Sequence, residues 1–348
     1  MDRLSEFCLN WRHSDCVRAL AAIACCAIAL GASRPAQAQP SSQDAARDYP
    51  AKAVTFVVPF PAGGGLDVFA RTLSEKLVPR LGRPFLVENK PGVGGLAGAS
   101  AVAKSPPDGY TLLIAANTIV ISPHILAKGA GGGVDVLKDL VPVIMPASAP
   151  MVLVVTAQLG VKSPAELIAL AQRMPGLPYA SAGNGTPMHF AGELFKKSTG
   201  VDMQHVPYKG VFQSVADALG GQIKVLFTSL GGPVMPHVRS GKLVALAVTE
   251  KQRTSIMPSL PTLTELGIRG VEVDAWYGIL APAGTPPAVV AFLNREFNAV
   301  LQLPDLRGRL SAAGIDVRGG SADAFGAEIR ADHERYGRMA KEFGIRAD

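Results

Sequence analysis

The stretch VTFVVPFPAGGGLDVFARTL, residues 54–73, decides the fold of this chain. It opens with five consecutive apolar or β-branched residues, a run typical of a strand that is buried on both faces. Two prolines and three glycines follow, and apolar residues then return at the spacing of an amphipathic helix: Leu66, Phe69, Ala70, Leu73 and Leu77. The stretch therefore predicts a buried strand, a close glycine turn and a helix that begins directly after the turn.

The same order of elements continues downstream. Residues 85–88 and 110–115 have the composition of strands, and a helix rich in small residues is predicted between them at 95–103. A βαβαβ order predicts a parallel, doubly wound sheet, because crossover helices connect neighbouring parallel strands.

A second half repeats this pattern. Strands are predicted at 151–156, 179–181, 204–206, 223–227, 243–248 and 276–280, and the last helix at 322–343. The predicted fold class is α/β, with two doubly wound α/β lobes joined by two crossing strands near 151–156 and 275–281. Lobe 1 is predicted to comprise residues 49–150 plus 275–348, and lobe 2 residues 151–274.

The first 38 residues have the features of a secretory signal peptide. Arginines at positions 3, 12 and 18 precede an apolar run that ends near Ala32, and Ala36-Gln37-Ala38 is a small-x-small cleavage site. The apolar run is shorter than the roughly 20 residues that a transmembrane helix needs. The sequence therefore predicts cleavage near Ala38, export to the periplasm and a polar leader at 39–48.

Charge and cysteine content exclude several functional classes. All four cysteines lie in the predicted signal peptide, so the mature chain is expected to have neither disulfides nor thiol chemistry. Removing the four arginines and three acidic residues of that peptide changes the net charge from +6 to +5. This mild basicity, without long Lys/Arg runs, gives no support to nucleic-acid or membrane-surface binding. A soluble monomer is expected.

Two glycine loops stand at equivalent places in the two halves. Residues 59–67 and 181–189 each lead from a strand end into a helix, the second with Thr186 as N-cap and Pro187 at the first helical position. A helix N-terminus carries about half a positive charge, so two of them facing one cleft predict an anion site. Both loops also fit tight turns, and His189 fits either a ligand donor or a histidine satisfied within its own helix.

Two more loops follow predicted strands. Asn117 comes after the strand at 110–115, and residues 205–210 (HVPYKG) place a cation near a helix start. Ligands of open α/β sheets bind at the carboxyl ends of strands, although ordinary turn chemistry explains both loops equally well.

Catalytic signatures are missing from the sequence. It contains no nucleophile elbow and no H-E-x-x-H motif, and its six histidines lack metal-ligand spacing. We therefore expect no enzymatic activity, no cofactor and no metal.

A series of motifs in this chain resembles one family. In order, the motifs are VVPFPAGGGLDVFAR, VENKPGVGGLAGA, PDGYTLL, AGELFK, HVPYKG, GKLVALAVT, PTLTELG and APAGTPP. Over residues 49–343 the chain is similar to the substrate-binding proteins of tripartite tricarboxylate transporters, the Bug family. The resemblance implies a type II-like periplasmic binding protein whose lobes close on a small carboxylate, for a transporter or a sensor.

The resemblance also implies which residues line the cleft. In this family two opposed loops hold the ligand, mainly through backbone amides and ordered water. The implied residues are Phe60, Pro61, Ala62, Gly63, Gly64, Asp67, Asn117, Ser181, Gly183, Asn184, Gly185, Thr186, His189, Tyr208, Lys209 and Gly210.

The chain departs from the family pattern in three places. Thr228 stands where an acidic residue is common, residues 129–133 (GAGGG) replace a stretch with a Tyr-Asp pair, and Ser122 stands where Asn is usual. Two alternatives to the transporter receptor stay open. One is a secreted α/β enzyme that acts on a small carboxylate with Asp67 or His189 as acid–base residue. The other is a binding module that serves only a sensor or scaffold.

Overall fold

The structure is a computed structural model that describes residues 48–127 and 129–347; the predicted signal peptide and its cleavage site lie outside them. The strands are β1 Val54–Val58, β2 Phe85–Asn89, β3 Thr111–Ala116, β4 Leu140–Ser148, β5 Met151–Thr156, β6 Leu177–Ser181, β7 Met203–Pro207, β8 Val225–Ser229, β9 Leu243–Val248, β10 Trp276–Pro282 and β11 Asp316–Val317. The helices are α1 Gly65–Leu81, α2 Leu96–Ala103, α3 Thr118–Ile125, α4 Val136–Asp139, α5 Pro164–Arg173, α6 Pro187–Thr199, α7 Val211–Leu219, α8 Val234–Arg239, α9 Pro287–Leu301, α10 Pro304–Ala312 and α11 Ala322–Glu342. None of the helices in these described ranges has the length and apolar character needed to cross a membrane.

The strands form two sheets. The first sheet has six strands in the order β11-β4-β10-β3-β1-β2, and the second has five in the order β7-β6-β8-β5-β9. Strands β1, β2 and β3 pair in parallel, as do β6, β7 and β8. The carboxyl ends of each parallel trio therefore lie at one edge of its sheet, where the loops that follow them gather.

Successive side chains of a strand point to opposite faces, so the first sheet has an apolar core on both of its faces. Phe56 and Val58 point into one apolar cluster with α1, α9 and α10, while Val57 between them joins a second cluster with α2, α3 and α11. This follows from the two-residue period of a strand. A strand with core on both sides must avoid charge, and residues 54–58 contain only apolar residues and the half-buried Thr55.

The chain passes between the sheets twice. The first crossing is at residues 149–150, between β4 and β5, and the second crossing segment is residues 249–275, between β9 and β10. Backbone hydrogen bonds hold these segments side by side, from Ala149 N to Ala275 O at 2.8 Å and from Thr249 N to Met151 O at 2.9 Å. The two sheets are thus connected through a narrow, hydrogen-bonded hinge.

The two predicted crossing strands, near 151–156 and 275–281, directly follow the segments through which the chain passes between the sheets. One expectation needs correction, because the sheets are mixed rather than parallel. β10 enters the first sheet from the carboxyl edge of β3, with Tyr277 opposite Ala116, so it must run antiparallel to β3. β5 enters the second sheet in the same way, with Met151 opposite Ser229 of β8.

Candidate functional site

The first glycine loop leads from β1 into an uncapped helix. Gly64 is the N-cap of α1, and no side chain among the described residues accepts a hydrogen bond from the amides of its first turn. Gly63 has φ +84°, a conformation that favours glycine, and residues 61–63 are exposed. The loop therefore leaves an unshielded helix N-terminus at the carboxyl end of β1.

The carboxylate of Asp67 stabilises the conformation of this loop. Its side chain is 3% exposed, and its carboxylate accepts hydrogen bonds from Gly63 N at 3.0 Å, Arg71 Nε at 3.0 Å and Asn89 Nδ2 at 2.9 Å. Burial alone would raise the pKa of Asp67, but these hydrogen bonds outweigh it and lower the pKa. Asp67 therefore orients the loop, and its carboxylate already has protein partners.

Sequence reasoning missed two residues that support this loop. Asn89, the last residue of β2, also donates to Phe60 O at 3.0 Å. Tyr277 of β10 lies under Gly65, where an added Cβ would come within 2.7 Å of its hydroxyl oxygen. The need for glycine at position 65 is thus steric and comes from a distant strand that local sequence does not reveal.

The second glycine loop is held by its own side chains. Ser181 Oγ lies 2.7 Å from His205 Nε2 and accepts from Gly183 N at 3.1 Å. Thr186 Oγ1 donates to Gly183 O at 2.8 Å and accepts from His189 N, so the predicted N-cap is present. Ser181 and Thr186 thereby fix the loop backbone from both ends.

His189 belongs to the support of the second loop. Its Nδ1 accepts from Gly185 N at 3.2 Å, and its ring stacks on His205 at 3.7 Å between centroids. Burial, and then the neighbouring charges of His205 and Lys196, lower the pKa of His189 to about 3. A neutral ring is required for Nδ1 to accept the amide hydrogen. The structure shows the hydrogen bond within the protein, and contact of His189 with a ligand stays a prediction.

The third candidate segment lies beside the second loop. Tyr208 N donates to Ser181 O at 3.1 Å, and Tyr208 O lies 3.2 Å from a Cβ added at Gly183. Gly210 caps α7 with φ +106° and without a side-chain cap. Lys209 is exposed and forms no ion pair with any described residue. An uncapped helix start and an unneutralised cation thus lie next to the loop that holds half-buried Asn184.

Asn117 directly follows β3 and lies beside the hinge. It is fully buried at the end of β3, and its Nδ2 donates to Asp274 O in the second crossing segment at 2.9 Å. Its Oδ1 has no hydrogen-bond partner in the described part of the chain. The residue therefore ties the first sheet to the hinge and retains one acceptor.

Helix α3 contacts one loop of each sheet. Its first residues contact the loop at 92–95, where a Cβ on Gly95 would meet Ile119 at 3.2 Å. Its last residue, Ile125, packs on Gly185, where an added Cβ would lie only 2.0 Å from Cδ1. This helix therefore links Asn117, its N-cap residue, to the second glycine loop.

Comparison with known proteins shows which family has this architecture. The sequence profile described as tripartite tricarboxylate transporter family receptor, TctC, matches residues 69–345. The chain belongs to the TctC family. The family resemblance inferred from the motifs is confirmed, and so is the α/β fold with two lobes.

Solved structures show how close the TctC-family likeness is. R. palustris Rpa4515 with adipate is 35% identical, with a TM-score of 0.75 and coverage of 86% of this chain and 100% of that one. The periplasmic binding protein BugD is 31% identical, with a TM-score of 0.71 and the same coverage. MatC from Rhodopseudomonas palustris with bound malate is 28% identical, with a TM-score of 0.68 and coverage of 84% and 99%.

The positions that depart from the TctC pattern lie in different surroundings. Thr228 is buried in β8, opposite Val152 of β5, and its hydroxyl has no partner among the residues described. Ser122 Oγ donates to Gly94 O at 3.3 Å and so links α3 to the loop at 92–95. Residues 130–133 form a short 3₁₀ turn.

Proposed function

We propose that this TctC-family chain captures a small organic acid between its two lobes in the periplasm. The observation that carries the proposal is the uncapped start of α1, whose glycine loop is fixed by Asp67. A carboxylate is the natural partner of such a helix start, because the backbone amides lack acceptors and the helix dipole favours negative charge.

The second lobe supplies complementary groups in the proposal. Lys209 and the uncapped start of α7 lie beside the 181–186 loop and add positive potential. The relatives with adipate and malate support the ligand class, since both ligands are dicarboxylates. One carboxylate for each lobe would make the ligand bind the closed arrangement better than the open one, and this difference drives closure.

The same observations support a binder over the enzyme alternative. That alternative needs Asp67 or His189 as acid–base residue. Asp67 already accepts three hydrogen bonds, and His189 accepts the Gly185 amide and has a pKa near 3. Neither group is available for proton transfer near neutral pH. We therefore assign the chain no catalytic step.

The lobe boundaries and the partner complete the proposal. Lobe 1 is residues 49–150 plus 275–348 and lobe 2 is 151–274, a division supported by the membership of the two sheets. The protein acts as a monomer that delivers its ligand to the membrane subunits of a tripartite transporter, in line with the family description. Cleavage near Ala38 is part of the same proposal.

The direct test is thermal unfolding of the purified protein against a panel that includes adipate, malate, citrate, amino acids and aromatic acids. A ligand at 100 times its dissociation constant adds about 2.7 kcal/mol to the stability of the folded state. We expect a shift with aliphatic carboxylates only. The panel is repeated after refolding from denaturant, which removes any ligand carried through purification. No shift with any carboxylate after refolding would contradict the proposal.

A paired substitution at Gly64 tests the loop itself. Gly64 has φ −73° and only Pro61 O within 4 Å of an added Cβ, at 3.6 Å, so a side chain is tolerated. Gly64→Asp places a carboxylate at the helix start, and we expect carboxylate affinity to fall at least tenfold by calorimetry while the melting temperature is retained. Gly64→Ala is the matched control and should bind. Unchanged affinity in Gly64→Asp would remove the loop from the site.

A further inference from the structure

A polar cavity lies beside the hinge. It has a volume of about 350 Å³ and is enclosed by the end of β4, the second crossing segment and α11. Its lining shares no residue with the glycine loops or with the segment at 208–210. The carboxylate site of the proposed function therefore does not account for it.

Three carboxylates converge in this cavity. Asp274 of the crossing segment and Glu328 and Asp332 of α11 each place one oxygen within 4.8 Å of the other two. Asp332 is 2% exposed and Asp274 is half-buried. Asp274 Oδ1 has no hydrogen-bond partner in the described ranges of the chain.

A fourth carboxylate gives independent evidence that a partner is needed. Glu250 lines the same cavity, is 5% exposed, and its Oε1 has no hydrogen-bond partner among the described residues. Its other oxygen accepts from Arg318 Nη2 at 2.8 Å. An unpaired buried carboxylate oxygen costs free energy, so it is expected to have a partner in the working protein.

The charge of the lining indicates the sign of that partner. Five carboxylates face three cations there: Glu250, Glu272, Asp274, Glu328 and Asp332 against Lys251, Arg318 and Arg335. Arg318 is engaged by Glu250, Arg335 by Asp332 at 2.9 Å, and the charge of Lys251 acts on Glu272. The unneutralised charge is negative and lies at Asp274 and Glu328.

We propose that this hinge cavity binds a calcium ion through Asp274, Glu328 and Asp332, with Glu250 accepting from a water of the ion's coordination shell. Calcium binds oxygen at 2.3–2.6 Å, so ligand atoms up to about 4.8 Å apart fit on opposite sides of one ion. Magnesium needs about 2.0–2.1 Å and near-ideal octahedral geometry and usually retains several waters, so an all-carboxylate cluster favours calcium.

Two neighbours orient the buried ligand. Trp276 Nε1 donates to Asp332 Oδ2 at 2.8 Å, and Arg335 Nη2 donates to Asp332 Oδ1. Each oxygen retains a lone pair, so these hydrogen bonds fix the carboxylate without consuming its capacity to bind a metal. The ion would join the second crossing segment to α11 beside the hinge.

Trp276 supplies a direct readout. The sequence has two tryptophans, and the other, Trp11, lies in the predicted signal peptide. Terbium replaces calcium at oxygen sites and emits when a nearby tryptophan is excited. We expect terbium emission on excitation of the purified protein after treatment with a chelator, and its displacement by added calcium.

Paired variants on α11 make the test specific. Glu328→Gln removes one proposed ligand that forms no ion pair with any described residue, whereas Glu334→Gln changes an exposed residue whose ion pair to Arg338 is long, at 3.9 Å. With calcium at about 100 times its dissociation constant, we expect the melting temperature of the wild type and of Glu334→Gln to rise by about 5 °C. Glu328→Gln should show at most a fifth of that rise and no terbium emission.

Three results would overturn the proposal. The first is no terbium emission and no calcium-dependent shift in the wild type. The second is an equal shift in Glu328→Gln, which would place the ion elsewhere. The third is an equal shift with magnesium at matched ionic strength, which would reject calcium. None of these results depends on carboxylate binding by the glycine loops.

Discussion

At the scale of single residues, the side chains that look most reactive in the sequence are committed to holding the backbone. Asp67 and His189 each take the amide of a loop glycine four residues earlier, Gly63 and Gly185. Both loops thus use a helical side chain one turn in to fix the turn before the helix. The glycines permit the backbone conformation of each turn, and the hydrogen bond from the loop amide to the polar side chain stabilises that conformation.

Replacing Asp67 should therefore cost stability. Asp67→Asn removes charge from hydrogen bonds to Gly63 and Arg71, and hydrogen bonds to charged groups contribute about 1.5–3 kcal/mol. We expect the free energy of unfolding in urea to fall by about 2 kcal/mol. Because the folded pKa is lowered, this contribution is present above the unfolded pKa of about 4 and is lost as pH falls below it. Asp202→Asn, at an exposed position, is the control, and an equal loss there would contradict the assignment.

The stacked histidines predict a second pH dependence. Burial lowers the pKa of His205 to about 4 and that of His189 to about 3, and Glu193 and Lys196 are the other charges that act on them. Protonation therefore favours the unfolded state, so stability is present above pH 6.5 and is lost as pH falls toward 4.

His189→Gln should remove part of this dependence. Each histidine contributes up to about 1.4 kcal/mol per pH unit between the two pKa values. We expect a shallower loss of stability between pH 6.5 and 4 in urea titrations of the variant. A slope equal to that of the wild type in His189→Gln would refute the pKa shift.

At the scale of elements, the three helices that begin at the site differ in their capping. α6 carries a side-chain cap from Thr186, whereas α1 and α7 begin at glycines without one. Thr186→Ala should cost about 1 kcal/mol of stability, the usual value for an N-cap.

Ser321 caps α11 in the same way, so Ser321→Ala is matched for stability loss. Only Thr186→Ala should also weaken binding of adipate or malate in calorimetry, because only Thr186 holds a loop of the proposed site. Equal affinities in the two variants would mean that the 181–186 loop does not contact ligand.

Local sequence predicted most elements but missed β4. Apolar runs and capping residues located β1, α1 and the Thr186-Pro187 helix start, since these depend on neighbours in the chain. β4 contains Pro142 and Pro146, which usually argue against a strand. It forms because the returning β10 supplies a partner, with irregular register between Tyr277 and Leu280.

The site was predictable only in its loops. Glycine and capping chemistry indicate where the chain turns, but not what lies beneath. The roles of Asn89, Tyr277 and Asp274 depend on contacts with residues 22 or more positions away in sequence. Hydrophobic periodicity within a short window carries no information about such contacts.

At the scale of the whole molecule, the two lobes contact each other where Ile125 of α3 packs on Gly185. Gly185 has φ +68°, and its missing Cβ makes room for Ile125 Cδ1. Gly185→Val should hold the lobes apart. We expect adipate or malate affinity to fall at least tenfold and the ligand-dependent decrease in radius of gyration, measured by small-angle scattering, to disappear.

Ile125→Ala in the same chain tests the cause. It removes the clashing methyl groups, so the double variant should regain part of the affinity, with the strain of positive φ as the remaining cost. Lack of any recovery would show that the substitution acts through the loop backbone rather than through the contact between lobes.

The discontinuous first sheet sets the order in which this protein can be assembled. All strands of the second sheet have been synthesised by residue 248. In the first sheet, β3 lacks its neighbour β10 until synthesis has passed residue 276. During vectorial synthesis and export, the later-encoded lobe can fold while the earlier-encoded one still has an open strand edge. A nascent chain is therefore expected to need protection over its first half longer than over its second, and truncation before residue 276 should yield a fragment that aggregates through β3.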